Sequence, residues 1–155
     1  MKLVAFVIAD KEYALGIEQV LQVIRIREIT PVPQAPDFVQ GVIIWHARAI
    51  PLISLRKKFS LEKSLQENLS RIIIVKINRH NIGIVVDKVT DVLNLESGNI
   101  EPPDEILKQA SYLTGVAKVG QRLILLMDIE KLLSDQEKNG IEEVHAMVEV
   151  KKKEA

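Results

Sequence analysis

Residues 17–26 read IEQVLQVIRI, and residues 86–95 read VDKVTDVLNL. Aliphatic residues occupy the same five positions in both stretches, at a constant offset of 69 residues. Self-similarity at a fixed offset is the sequence signature of a repeated structural unit. The pair therefore indicates an internal duplication, which limits the folds that the chain can adopt.

A second pair of matching blocks follows the first. Gly41 corresponds to Gly115 at an offset of 74 residues, and Arg48 corresponds to Arg122 at the same offset. Aliphatic residues continue the alignment at 50 and 124, 52 and 126, and 55 and 129. The growth of the offset from 69 to 74 indicates a five-residue insertion near residues 104–110. One match could arise by chance in so aliphatic a chain, but two ordered blocks predict two equivalent halves.

Each half is predicted to contain a hairpin, a helical turn, a strand, a proline-containing loop, a second hairpin that begins at a glycine, and a short helix. The hairpins are expected at 3–17, 42–53, 72–86 and 115–127, and the helical turns at 17–24 and 87–92. Short helices are expected at 55–59, 104–110 and 129–133, with Ser54, Asp104 and Asp128 as N-caps. Five short strands per half suit a small closed barrel, because closure leaves no exposed edge. The predicted fold is mainly β, with two five-stranded β-barrels and short helices related by internal duplication.

The predicted domain covers residues 1–134, with barrel subdomains at roughly 1–70 and 71–134 and possible crossing of strands between them. Residues 135–155 carry many charges and little apolar periodicity, so we expect a charged, frayed C-terminal tail. The apolar run at the N-terminus is not followed by a small-residue cleavage site. No stretch reaches the roughly 18–20 apolar residues of a membrane span. A cytoplasmic protein without direct membrane insertion is therefore expected.

The composition excludes several classes of protein. Hydrophobic residues make up 47 % of the 155 residues, which is too many for a disordered chain. Lys plus Arg and Asp plus Glu number 21 each, so the positive excess of a general polyanion-binding surface is absent. The chain has no cysteine, which excludes disulfides, thiolate catalysis and cysteine-ligated zinc.

The sequence contains no recognisable catalytic or nucleotide-binding motif. Asp87 and Asp91 lie four residues apart around Lys88, a pattern typical of a solvated helical face. His46 and His80 are expected in hairpin turns, where polar residues are common. The sequence therefore predicts no enzyme activity and no catalytic, cofactor-binding or metal-binding residues.

Several predicted strands are apolar on both faces. In the stretch 42–45, Val42 and Ile44 point to one side, while Ile43 and Trp45 point to the other. One face can fill a barrel, but the second must be covered by the sister barrel, by a helix or by a partner. The pattern leaves internal burial and partner binding open, and it is the physical basis for the hypothesis of an interaction protein.

Residues 41–55, GVIIWHARAIPLISL, resemble the signature hairpin of the CheW family of bacterial chemotaxis coupling proteins. The usual family pattern is G-V-x-N-L-R-G-x-[IV]-x-P-[VI]-[IV]-[DN]-L. The stretches EYALGI at 12–17, GIVVDKV at 83–89, YLTG at 112–115 and IEKLL at 129–133 resemble further family blocks in the same order. The resemblance extends from about residue 3 to residue 133.

This resemblance implies two SH3-like barrels and an adaptor without enzyme activity or cofactor. It implies two partners, the chemoreceptor cytoplasmic tip and the regulatory domain of the histidine kinase CheA, and hence association with membrane receptor arrays through those partners. It also implies a receptor groove between the barrels, lined by Ile17, Val20, Val23, Val86 and Val89. The candidate partner contacts are Gln22, Gly41, Ile44, Trp45 and His46.

The chain departs from the family pattern in the signature hairpin. The family's Asn-Leu-Arg-Gly is replaced by IWHA at residues 44–47, and Gln22 stands where relatives often carry Glu. Loss of the arginine removes a permanently charged group with five donors, whereas His46 carries at most a titratable charge. Ala47 stands where a family glycine often adopts a positive φ. We therefore expect a divergent member whose Ile44 and Trp45 bind a partner more hydrophobically.

Two other functions remain open from the sequence. The same fold can serve as an adaptor or regulatory domain for a sensory kinase outside chemotaxis. A small nucleic-acid-binding barrel is the second alternative, although the balanced charge and the small number of aromatic residues disfavour it.

Overall fold

The computed structural model describes residues 1–62, 67–104 and 110–154, and these residues are mainly in β-strands. The strands are β1 Lys2–Ile8, β2 Lys11–Gly16, β3 Val20–Arg25, β4 Val39–Trp45, β5 Arg48–Ser54, β6 Arg71–Ile77, β7 His80–Val86, β8 Lys88–Asn94, β9 Ile100–Glu101, β10 Leu113–Val119 and β11 Arg122–Met127. The helices are α1 Leu55–Lys58, α2 Ile129–Leu132 and α3 Asp135–Glu154, and 3-10 turns lie at Ile17–Gln19, Glu67–Leu69 and Ser97–Asn99.

The strands form two sheets that exchange hairpins between the halves of the chain. One sheet has six strands in the order β8-β1-β2-β11-β10-β9, and the other has five in the order β3-β6-β7-β5-β4. The hairpin β1–β2 therefore lies with strands of the second half, and β6–β7 lies with strands of the first. Strands cross between the halves in both directions.

The strand pairing reproduces the duplication residue by residue. In the five-stranded sheet β5 runs parallel to β7, with Leu52 opposite Gly83. In the six-stranded sheet β11 runs parallel to β2, with Leu126 opposite Ala14. Leu126 follows Leu52 by 74 residues and Gly83 follows Ala14 by 69, so the repeat offsets also align the registers. The predicted fold class, two β units related by duplication, is confirmed.

The buried side chains form three apolar clusters, of which the largest holds the two sheets together. The largest contains Phe6 and Leu15 from one sheet and Ile73 and Ile84 from the other, so it is shared between them. The second cluster belongs to the six-stranded sheet and the third to the five-stranded sheet. Strands that are apolar on both faces thus contact their own core with one face and the shared core with the other. Most of the aliphatic side chains on both faces of these strands are therefore buried inside the molecule.

The helical turns expected at 17–24 and 87–92 are wrong for most of their length. The first is a 3-10 turn followed by β3, and the second is β8. The register of β3 shifts at Leu21 and that of β8 shifts at the equivalent Thr90. A bulge adds one residue to a strand, so the valines at 20 and 23, and at 89 and 92, are three residues apart. This spacing mimics the period of a helix.

The C-terminal tail is not frayed, contrary to the prediction. Residues Asp135–Glu154 form α3, and Ile141 and Val144 are almost fully buried. Ile141 belongs to the shared core. Two apolar residues in the first half of the helix are enough to dock it, although the segment is highly charged overall. The helix expected at 104–110 falls mostly on residues 105–109, outside the described part of the chain.

Candidate partner-binding surface

Four of the five predicted groove residues reach the surface. Ile17 and Val23 are exposed, at 40 % and 38 % of their full areas. Val20 and Val89 are half-buried and pack against the shared core. Val20 in β3 and Val89 in β8 are equivalent positions of the duplication, which therefore brings them to the same core from opposite sheets.

Val86 does not line an accessible groove. It is 1 % exposed and belongs to the shared core, because it ends β7, which has neighbouring strands on both sides. In the described structure Val86 can support the surface formed by the other four residues but cannot touch a partner.

Asp87 forms a tether rather than part of a solvated face. Its carboxylate accepts two hydrogen bonds from Arg56 in α1, at 2.7 and 2.6 Å, and one from the backbone N–H of Ala9 at 2.7 Å. The hydrogen bond with Asp87 raises the pKa of Arg56. The pair contributes to the wall of a cavity of about 390 Å³. Asp87 therefore joins the end of β7 to α1 and to the β1–β2 turn.

The hairpin between β4 and β5 turns through two residues in the left-handed region. His46 has a φ of 49° and Ala47 a φ of 62°, between the paired residues Trp45 and Arg48. Two positive φ values are typical of a type I′ turn, where Asn-Gly is the preferred sequence. The expectation that Ala47 occupies a position suited to glycine is consistent with this geometry.

Trp45 and Gln22 meet across the end of the five-stranded sheet. The indole Nε1 of Trp45 donates a 2.8 Å hydrogen bond to Oε1 of Gln22, and the His46 ring stacks on the indole with centroids 4.1 Å apart. Ile44 is 58 % exposed, and its carbonyl accepts a 2.8 Å hydrogen bond from Arg27. The structure therefore brings together four of the five predicted contact residues.

Gly41, the fifth predicted contact residue, is buried and has a structural role. Its φ is 153°, and a Cβ atom built there would lie 2.5 Å from the carbonyl oxygen of Thr30. The strand bulges at this point, between Val39 and Gly41. Only glycine allows the chain after β3 to approach β4 so closely.

An ionic network in the six-stranded sheet was missed from the sequence. Arg122 donates to Glu12 at 3.0 and 2.7 Å and pairs with Asp91 at 2.8 Å, while Thr90 donates to Glu12 at 2.7 Å. The hydrogen bond from Arg122 lowers the pKa of Glu12, and the same bond raises the pKa of Arg122. The alignment of Arg122 with Arg48 is visible in the repeat, but its two acidic partners, Glu12 and Asp91, come from other strands.

The helix α3 is held to the body of the protein by polar contacts as well as apolar ones. Lys58 donates to both carboxylate oxygens of Glu137 at 2.8 Å. Burial disfavours the charged form of Glu137, but hydrogen bonds from Lys58 and from Ser134 keep its pKa below the usual value. The His80 and His145 rings lie 4.6 Å apart. His80 is therefore a contact between the β6–β7 hairpin and α3.

None of the described helices combines the length and the apolar character that a membrane-spanning segment needs. Within the same described ranges, no three potential metal-ligating side chains cluster together. The N-cap roles predicted for Ser54 and Asp128 are present, since Ser54 accepts from the N–H of Lys57 and Asp128 from that of Glu130. The N-cap role predicted for Asp104 depends on residues 105–109, which lie outside the described part of the chain.

Comparison with known sequences points to one family. The family model of the CheW-like domain matches residues 2–137. The chemotaxis protein CheW of Klebsiella aerogenes is 34 % identical over 134 residues, which cover 85 % of this chain and 81 % of that protein. The chemotaxis protein CheW of Helicobacter pylori is 32 % identical over 134 residues, covering 86 % and 81 % respectively.

A solved structure shares the same architecture. The crystal structure of the scaffolding protein TtCheW from Thermoanaerobacter tengcongensis matches with a TM-score of 0.79 and 33 % identity, covering 88 % of this chain and 94 % of the other. The match thus covers most of both chains. The chain belongs to the CheW family, which is a family of chemotaxis scaffold proteins and not of enzymes.

Proposed function

We propose that this chain is a non-enzymatic adaptor that couples methyl-accepting chemoreceptors to the histidine kinase CheA. The observation that carries the proposal is the family match over residues 2–137, which includes both sheets and every candidate contact residue. An adaptor needs two separate binding surfaces on a rigid body. The shared core, which joins the two sheets, supplies the rigidity.

The receptor surface is assigned to the aliphatic residues beside the shared core. Ile17 and Val23 are exposed and Val20 and Val89 are partly accessible, so an amphipathic helix of a receptor tip can place an apolar stripe against them. Val86 belongs to the shared core, against which Val20 and Val89 pack. Truncation of Val20 or Val89 to Ala should therefore weaken receptor binding by a loss of contact area.

The kinase surface is assigned to the end of the five-stranded sheet. Ile44 presents an exposed aliphatic side chain there, and on the other side of the strand the exposed His46 ring stacks on the half-buried Trp45 indole. Aromatic and aliphatic groups of this kind are common anchors of protein interfaces. Through these two surfaces the protein would act at membrane receptor arrays without entering the membrane.

Titration of the purified chain with the CheA regulatory domain and with a receptor tip fragment tests both assignments. Ile44→Ala and Trp45→Ala should weaken binding of the kinase domain about tenfold or more, as truncation of an interface anchor does, and should leave receptor binding unchanged. Leu123→Ala is the matched control, because Leu123 is 55 % exposed on the other sheet. If both variants at the hairpin bind the kinase domain like wild type, the assignment of this surface is wrong.

A further inference from the structure

Because of the duplication, each residue in a hairpin turn of one sheet has an equivalent residue in the corresponding hairpin turn of the other sheet. In the six-stranded sheet, Arg122 begins β11 and is neutralised within the molecule. It bonds Glu12 at 2.7 Å and Asp91 at 2.8 Å. Both carboxylates come from other strands of the same sheet, β2 and β8.

The equivalent arginine of the five-stranded sheet has lost these partners. Arg48 begins β5 at the position of Arg122, with an offset of 74. At an offset of 69, Glu12 is replaced by Asn81 and Asp91 by Gln22. Neutral amides therefore stand where the other half has carboxylates.

The two halves also differ in the sign of a charge in the turn before β2 and in the equivalent turn before β7. Asp10 in the β1–β2 turn corresponds to Arg79 in the β6–β7 turn. Among the ion pairs and hydrogen bonds of the described residues, neither the Arg48 nor the Arg79 side chain takes part in one. One half thus places acidic residues around its arginine, and the other half places a second arginine there.

Both unpaired arginines lie at the end of the sheet that carries the exposed apolar residues. The strands β5 and β7 are parallel, and Arg48 begins β5 while Arg79 directly precedes β7, so both arginines lie at the same end of the sheet. Arg48 is also the cross-strand partner of Trp45. Arg48, Arg79, Trp45 and Ile44 therefore all lie at one end of the five-stranded sheet.

We propose that this end of the five-stranded sheet binds an acidic protein surface, whose carboxylates pair with Arg48 and Arg79 and whose apolar side chains contact Ile44. The bound partner supplies the carboxylates that Glu12 and Asp91 supply within the other half. Guanidinium–carboxylate pairs are charge-assisted and often bidentate, so they fix orientation as well as affinity. The inference rests on the proposed function, since the partner tested is the CheA regulatory domain.

The chemistry of the surface favours a protein over a nucleic acid. Ile44, at 58 % exposure, offers an apolar contact that a phosphate backbone does not use. The chain as a whole has no net positive charge to attract a polyanion.

Association kinetics with the purified CheA regulatory domain at low and high salt test this inference. Three variants are compared with wild type: Arg48→Gln, Arg79→Gln, and Asn81→Glu, which restores the internal carboxylate of the other half. Each should slow association about three- to tenfold at low salt and flatten its salt dependence, as changes of rim charges do. Arg25→Gln is the control, because Arg25 is exposed at the opposite end of the same sheet. Asn81→Glu should leave the melting temperature unchanged or raised, which separates lost binding from misfolding.

The outcomes separate the inference from the proposed function. If wild type binds the kinase domain and the three variants bind it equally fast, the acidic partner surface is excluded while the adaptor function stands. If wild type binds neither the kinase domain nor a receptor tip, both fall. The last measurement is sedimentation of the chain without the kinase domain. If the chain self-associates and the same variants abolish that self-association, the surface binds a second copy of this chain and the proposal is overturned.

Discussion

Trp45 and Gln22 lie on the two edge strands of the five-stranded sheet, and the hydrogen bond between their side chains joins those edges. Farther along, Thr30 and Val42 exchange backbone hydrogen bonds of 2.9 and 2.8 Å across the same gap. The barrel is therefore closed by one side-chain bond near the turn and by a short backbone bridge. A candidate contact residue, Trp45, is thus also a structural one.

Replacement of Trp45 by Phe should destabilise the protein by about 0.5–1.5 kcal/mol, because the ring packing is largely kept while the donor is lost. Urea unfolding followed by circular dichroism measures the change. Gln22→Ala should lower the free energy of unfolding by a similar amount. The double variant should lose less unfolding free energy than the sum of the losses in the two single variants. Strictly additive costs would show that the bond does not close the barrel.

Replacement of Ala47 by Gly should stabilise the protein by about 1 kcal/mol. Ala47 has a φ of 62°, a conformation that glycine adopts without the steric penalty of a Cβ atom. Thermal unfolding should show a higher midpoint for Ala47→Gly and a lower one for Ala49→Gly, the matched change two residues later within β5. A lower midpoint for Ala47→Gly would mean that the turn carries no strain.

Glu12 should make stability depend on pH in the acidic range. The hydrogen bond from Arg122 lowers its pKa in the folded state below the ordinary value of 4.5. Its contribution is therefore fully present above that value and is lost as the pH falls through the folded pKa. Unfolding free energies between pH 7 and pH 3 should fall more steeply for wild type than for Glu12→Gln. Glu28→Gln, a change at an exposed carboxylate, should retain the wild-type slope.

The docking of α3 should contribute measurably to stability. Ile141 is 2 % exposed in the shared core, so Ile141→Ala should cost about 2–4 kcal/mol through lost burial and a cavity. Glu143→Gln on the exposed side of the same helix should change stability by less than about 0.5 kcal/mol. Equal stabilities of the two variants would restore the expectation of a frayed tail.

The duplication and the fold class were predictable from the sequence because both rest on aliphatic spacing. The exchange of hairpins was open, since local pattern carries no information about which half supplies the neighbouring strand. The bulges at Leu21 and Thr90 explain why the apolar spacing predicts helical turns where strands form, because an inserted residue changes a spacing of two into three. A bulge of this kind is decided by pairing with another strand.

The candidate surface was predictable in part. The structure brings Ile44, Trp45, His46 and Gln22 to one end of the five-stranded sheet, because three of them are consecutive in one strand and turn and Gln22 bonds Trp45. Gly41 and Val86 are buried, and their residue types alone did not distinguish a contact from a packing role. The pairing of Arg122 and the isolation of Arg48 required the hairpin exchange, which places Glu12 beside β11.

The central claim is that one molecule of this chain binds a chemoreceptor tip and the CheA regulatory domain at the same time. Gel filtration of the purified receptor fragment and kinase domain, with and without the chain, measures it directly. We predict that the two partners elute apart when mixed alone and together, as a ternary complex, when the chain is added. Elution of all three as separate species at concentrations of about 10 μM or more, where the micromolar affinities of modest protein interfaces would be saturated, would contradict the adaptor function while leaving the family and the fold intact.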